Sequence, residues 1–176
     1  MIIQILGAAG AGKSTLGRAL AARTGLPLLQ SDRYLWQDGE FTQTRPVEER
    51  RALLLQDLAR CPSCIVDGGV GSWLEEGVLR PDLLVLVRLE SGPRMERLRA
   101  REQARFGRRC LPGGDHEATT REFLEWAATY DTATEESNCL AAHMQRLCQA
   151  RCPCLILWSH RPAEALAAQV AACAGL

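Results

Sequence analysis

Short apolar runs and amphipathic stretches alternate along the chain, and their order predicts its elements. Ile2 to Leu6, Leu26 to Leu29, Cys64 to Asp67, Leu83 to Leu89 and Leu155 to Trp158 read as strands. Between them, helical spacing runs over Lys13 to Arg23, Pro46 to Arg60, Pro93 to Phe106, Thr120 to about Gln149, and Pro162 to Cys173. Apolar strands in β-α-β alternation predict a parallel sheet covered on both faces. Right-handed crossovers make it an open, doubly wound α/β sheet, with ligands expected beyond the carboxyl ends of the strands. In the long helix, Phe123, Trp126, Tyr130, Leu140, Met144 and Leu147 share one face and read as core. The Gly/Pro-rich segment Gly107 to Thr119 is long enough to be a mobile lid.

Composition narrows the class. The 176 residues, 47% hydrophobic and 24% charged, fit one globular domain and exclude disordered, collagenous and coiled-coil chains. Basic and acidic residues balance at 21 each, which argues against binding to nucleic acid or anionic membrane by bulk charge. No apolar run approaches the roughly 18 residues of a membrane span, and no charged n-region precedes the first apolar run. The expectation is a cytoplasmic protein without signal peptide or membrane segment. In that reducing compartment the eight cysteines read mostly as small buried hydrophobes. His116 and His160 read as surface residues.

Of the 21 basic residues only Lys13 is a lysine. It stands in Gly7-Ala8-Ala9-Gly10-Ala11-Gly12-Lys13-Ser14-Thr15, the P-loop pattern between a strand and a helix. Small residues (Gly7, Ala9, Gly10, Ala11, Gly12) let backbone N–H groups turn inward to cradle phosphates at the helix N-terminus. Lys13 is expected to reach the β- and γ-phosphates, and the Ser14 hydroxyl to ligate Mg²⁺. A slim ammonium suits a tight loop better than the planar fork of arginine.

Two aspartates follow strands on the same side. Asp67 ends Cys64-Ile65-Val66-Asp67 as a Walker B acid would, and is the expected second Mg²⁺ ligand. Asp32 is the candidate base for an acceptor hydroxyl, with a helix N-cap as its structural alternative. Asp82 precedes its strand and belongs at the opposite edge. Arg94, Arg97, Arg101, Arg105 and Arg108 recur at steps of three and four on one helical face that leads into the lid segment. Such a stripe is either a solvated face or a source of arginines for a transferring phosphoryl group.

With these residues, Trp36, Val66-Asp67-Gly68 and the Phe123-Leu124-x-Trp126 run, the chain resembles the small P-loop kinases of the adenylate-kinase-like group. Within that group it is most similar to the topology modulation proteins. The resemblance implies a three-layer α/β/α fold, 1–176, with sheet order 2-3-1-4-5, a helical substrate insert over about 31–60 and a lid over about 107–119. It also implies ATP and Mg²⁺ as cofactors and a small-molecule acceptor, a nucleoside, nucleotide or other hydroxyl compound. Arg97 and Arg101 match the arginine pair at the lid base, and Ser159 to Pro162, with Arg161, resembles the loop that cups adenine. Gly69 replaces the asparagine expected in the topology-modulation group, and only Arg121 stands where adenylate kinases supply acceptor arginines. The rival reading is a regulatory or nucleic-acid-associated P-loop ATPase. In that strand order Cys61 and Cys64 enter the sheet roughly 14 Å from Cys148, Cys152 and Cys154, too far for one zinc ion.

Overall fold

β1 (Ile2–Gly7) runs through the middle of a five-stranded parallel sheet ordered β2-β3-β1-β4-β5. The other strands are β2 (Leu28–Gln30), β3 (Cys64–Asp67), β4 (Leu83–Arg88) and β5 (Cys154–Trp158). The helices are α1 (Lys13–Thr24), α2 (Ser31–Leu35), α3 (Val47–Arg60), α4 (Ser91–Phe106), α5 (Glu117–Ala128), α6 (Leu140–Gln149) and α7 (Ala163–Cys173). This computed structural model describes residues 1–176 except 39–40, 71–72, 75–76 and 136–137.

The period of two along a strand sorts the core into layers. Ile3 and Ile5 of β1, with Ile65, Val85 and Val87, pack against Leu16 and Leu20 of α1 and Leu166 and Val170 of α7. On the opposite face Leu6, Leu84 and Leu86 meet Leu140 and Leu147 of α6. Cys64 and Val66 of β3 meet Leu54 of α3 together with Trp73 and Leu74. The three-layer α/β/α architecture and the strand order are those expected.

Several local expectations are corrected. The long helix from Thr120 is three pieces, because α5 passes into a 3-10 turn at Thr129–Asp131 and α6 starts only at Leu140. Of its apolar stripe, Tyr130 is core, whereas Trp126 and Met144 are exposed. β5 is an edge strand with one open face, where Ile156 is 45% exposed. The lid segment is folded: Gly107–Cys110 form a 3-10 turn, Arg109 pairs with Asp115 at 2.9 Å, and α5 begins at Glu117. His116 is buried there, stacked on Phe106 with ring centroids 3.9 Å apart. Only Cys64 and Cys139 are buried, while Cys148, Cys154 and Cys173 are exposed. Among the described residues no group of three or more His, Cys, Asp or Glu side chains is placed to hold a metal, and no helix is long and apolar enough to cross a membrane.

Candidate active site

The phosphate-binding candidate loop spans the five residues between β1 and α1, so the helix N-terminus and its partial positive charge face it. The loop is clamped from behind. A Cβ at Gly10 would lie 2.8 Å from the Leu98 side chain and 3.0 Å from the Arg94 carbonyl, so only glycine allows α4 this close. The Lys13 Nζ crosses the loop and donates to the Ala8 carbonyl at 2.9 Å. Desolvation pulls the ammonium below its ordinary pKa, against the attraction of the Asp67 and Asp32 carboxylates.

Register brings those two acids together. Gln30 pairs with Asp67 across β2 and β3, which places the first turn of α2, holding Asp32, beside the end of β3. Gly68 seals the junction: at φ 108° its Cβ position would fall 2.0 Å from the Ser31 hydroxyl. Asp32 is not the N-cap of α2, since Gln30 holds that position. Asp67 is 3% exposed, and burial raises its pKa although Lys13, Ser14 and Gln30 favour its carboxylate form. Its Oδ1 has no hydrogen-bond partner among the described residues.

Of the arginine stripe only Arg94 is buried; Arg97, Arg101, Arg105 and Arg108 are exposed, the first three of them along the cleft. Arg94 is fully buried and bonded to the Ala127 carbonyl and Asp131. Arg97 donates to the Ser159 hydroxyl at 3.2 Å and carbonyl at 3.3 Å, tying α4 to the loop after β5. Arg101 pairs with buried Glu102 at 2.7 Å and lies over Phe123. Arg105 reaches across to Phe41, 4.3 Å from its ring centroid. Arg161 bonds Gln169 at 3.0 Å.

One continuous cleft of about 2320 Å³ collects the candidates. Ala9, Gly10, Gly12, Lys13, Ser14, Thr15, Asp32, Asp67, Arg97, Arg101 and Arg161 all line it. Gly7 and Ala11 are buried beneath it. Such a volume exceeds the few hundred to about 1,000 Å³ of a single small-molecule site, so two ligands fit side by side. Eleven basic side chains and five carboxylates of the described residues line the cleft, in a chain with no net charge.

Sequence reasoning missed three polar residues, His143 and Arg146 lining the cleft and the buried Gln4 bonded to Arg146. Gln4, in the middle of β1, is fully buried; its Nε2 donates to the Gly68 carbonyl at 3.2 Å and its Oε1 accepts from Arg146 at 2.9 Å. His143 is buried on α6, its Nδ1 2.8 Å from the Tyr130 hydroxyl. The lone amide among the apolar residues of β1 was the one readable signal. Arg146 and His143 carried none, because their partners lie 142 and 13 residues away.

Comparison with known proteins agrees with this geometry. By structure the chain is similar to a deoxyadenosine kinase from M. mycoides solved with dCMP and dCDP, at a TM-score of 0.56 and 14% identity over 99% of both chains. It is also similar to a shikimate kinase from Bacteroides thetaiotaomicron, at a TM-score of 0.55 and 19% identity over 100% of this chain and 99% of that one. These likenesses establish the P-loop kinase fold. By sequence the chain is 40% identical over 153 residues to the uncharacterized protein YqaC of Bacillus subtilis (strain 168), covering 87% of this chain and 85% of that one. Residues 3–122 match the family described as the AAA domain, and the chain belongs to that family.

Proposed function

We propose that the protein is an ATP- and Mg²⁺-dependent phosphotransferase acting on a small hydroxyl compound. The observation that carries this is the placement of Lys13 beside two carboxylates, Asp67 and Asp32, in a cleft with room for a nucleotide and a second ligand. The small-molecule kinases that share the fold support it. Nearness to the topology modulation proteins is part of the same reading and rests on the Val66-Asp67-Gly68 and Phe123-Leu124-x-Trp126 runs.

The residues present fit a hard divalent cation. Asp67 Oδ1 is buried and has no hydrogen-bond partner among the described residues, and the Ser14 hydroxyl and the Asp32 carboxylate near it are oxygen ligands. Ser14 and Asp67 would hold the ion, which when bound neutralises charge on the β- and γ-phosphate oxygens.

In this mechanism the loop amides and Lys13 fix the triphosphate, and the segment Ser159 to Pro162 with Arg161 borders the base. Asp32 accepts the acceptor's hydroxyl proton as its oxygen attacks the γ-phosphorus in line. The bond to the β–γ bridging oxygen breaks, leaving ADP and a phosphorylated acceptor. Arg97 and Arg101 lie where they can offset charge on the moving phosphoryl group. The folded 107–119 segment would act as a lid that excludes water.

The test is transfer of label from γ-labelled ATP to a panel of nucleosides, nucleotides and small hydroxy compounds. Labelled product is expected, and Lys13→Ala should lower its formation by about 10³-fold with an unchanged circular dichroism spectrum. Should no acceptor be labelled while DNA or RNA binds with steep salt dependence, the regulatory ATPase reading replaces this one.

A further inference from the structure

Gln4 and Arg146 form a polar pair on a sheet face that is otherwise apolar. In β1 the even-numbered neighbours Ile2 and Leu6 pack into hydrophobic clusters, yet the fully buried position between them carries an amide. The Gly68 carbonyl accepts from its Nε2, which fixes the amide's orientation and turns its oxygen toward Arg146. That single bond uses one of five guanidinium N–H donors. Among the described residues no carboxylate pairs with Arg146, which is half-buried and lines the cleft.

A partly desolvated charge given only a neutral partner is electrostatically unsatisfied. Arg101 has Glu102, and deeply buried Arg94 has Asp131, whereas Arg80 and Arg151 add further positive charge to the same cleft. Through Gln4 the guanidinium is linked to the Gly68 carbonyl, one residue after Asp67 at the end of β3.

We infer that Arg146, oriented by Gln4, docks an anionic group, a carboxylate or a phosphate, carried by the acceptor. The inference rests on the phosphotransferase reading and narrows its substrate class to hydroxyl compounds with a negative charge at one end. Arginine's fork suits either anion through paired N–H bonds. Gln4 is a positioning residue; Arg146 makes the contact.

The test uses the full chain saturated with Mg²⁺ and a non-hydrolysable ATP analogue, so that the phosphate loop is filled. Inorganic phosphate and acetate are titrated separately, and the Arg146 Nε–H resonance, assigned by its loss in Arg146→Gln, is followed by NMR. One anion should shift that resonance and saturate, and which of the two binds more tightly tells phosphate-bearing from carboxylate-bearing acceptors. Arg146→Gln should weaken that affinity about 10- to 100-fold, and Gln4→Leu should weaken it in the same direction. Arg146→Lys should retain part of it, and Arg60→Gln, exposed at the end of α3 and outside the cleft, all of it. Absence of any shift in the wild type, or equal affinity in Arg146→Gln, overturns the inference while leaving transfer to neutral acceptors open. Anion binding at Arg146 without transfer to any acceptor would instead sink the phosphotransferase reading.

Discussion

Arg94 and Arg146 both withdraw from solvent, and their partners differ. Arg94 is completely buried, 2.7 Å from the Ala127 carbonyl and 2.8 Å from Asp131, with its guanidinium 5.3 Å from the Tyr130 ring centroid. It bolts α4, and with it the back of the phosphate loop, to the end of α5. Arg146 is only half-buried and meets a neutral amide. The difference separates a strut from a receptor. A buried cation with its own carboxylate is electrically closed, whereas one offered only an amide keeps most of its attraction for an incoming anion. His143 stands between the two regions, since its partner Tyr130 underlies Arg94 and its own charge is disfavoured by Arg146 and Lys13.

The sharpest way to break this contrast is to remove the strut's acid. Asp131→Ala should lower stability by about 3 kcal/mol in urea denaturation, because Arg94 is left charged and unpaired in the interior. Adding Arg94→Met should recover much of that loss, as a closed pair predicts. If Asp131→Ala is neutral, the pair is not what secures α4.

His143 gives a pH effect of about the same size. Burial, reinforced by Lys13 and Arg146, lowers its pKa from 6.5 to about 4. The unfolded chain therefore binds the proton more readily between those values, so stability is full above pH 6.5 and falls as pH drops toward 4. The loss attributable to this group is about 3 kcal/mol. Asp67, whose pKa is raised, acts in the opposite sense as pH falls. The informative quantity is thus the difference between wild type and His143→Gln, whose profile should be flatter across this window. Parallel profiles would mean that His143 is not held neutral.

The smallest expected effect completes the comparison. Arg146→Gln should lower stability by only about 1 kcal/mol, because it strands no buried counter-charge and removes a donor only from the neutral Gln4 Oε1. A loss as large as that for Asp131→Ala would make Arg146 a second strut.

The phosphate loop was legible because its chemistry is local. Nine consecutive residues set the turn, the amides and the lysine, and neighbouring strand and helix periodicities fix where the loop sits. Asp67 and Asp32 were legible for a related reason: one ends an apolar run and the other closely follows one, and parallel strands deliver such positions to one edge. The helix after the lid segment was misread because spacing alone continues through Thr129–Asp131, where backbone geometry turns into a 3-10 helix. His116 was misread as a surface residue because its stacking partner, Phe106, lies ten residues earlier on another helix.

The sequence by itself determined the α/β rhythm, the phosphate loop with its single lysine, and the two acids at the strand ends, since each depends on residues close along the chain. Only the tertiary structure decided which arginines are neutralised, that Arg94 alone of the α4 stripe is buried, and that Gln4 meets a guanidinium 142 residues away. Charge pairing is a matter of distance in space and of desolvation, and neither is written in the order of the residues.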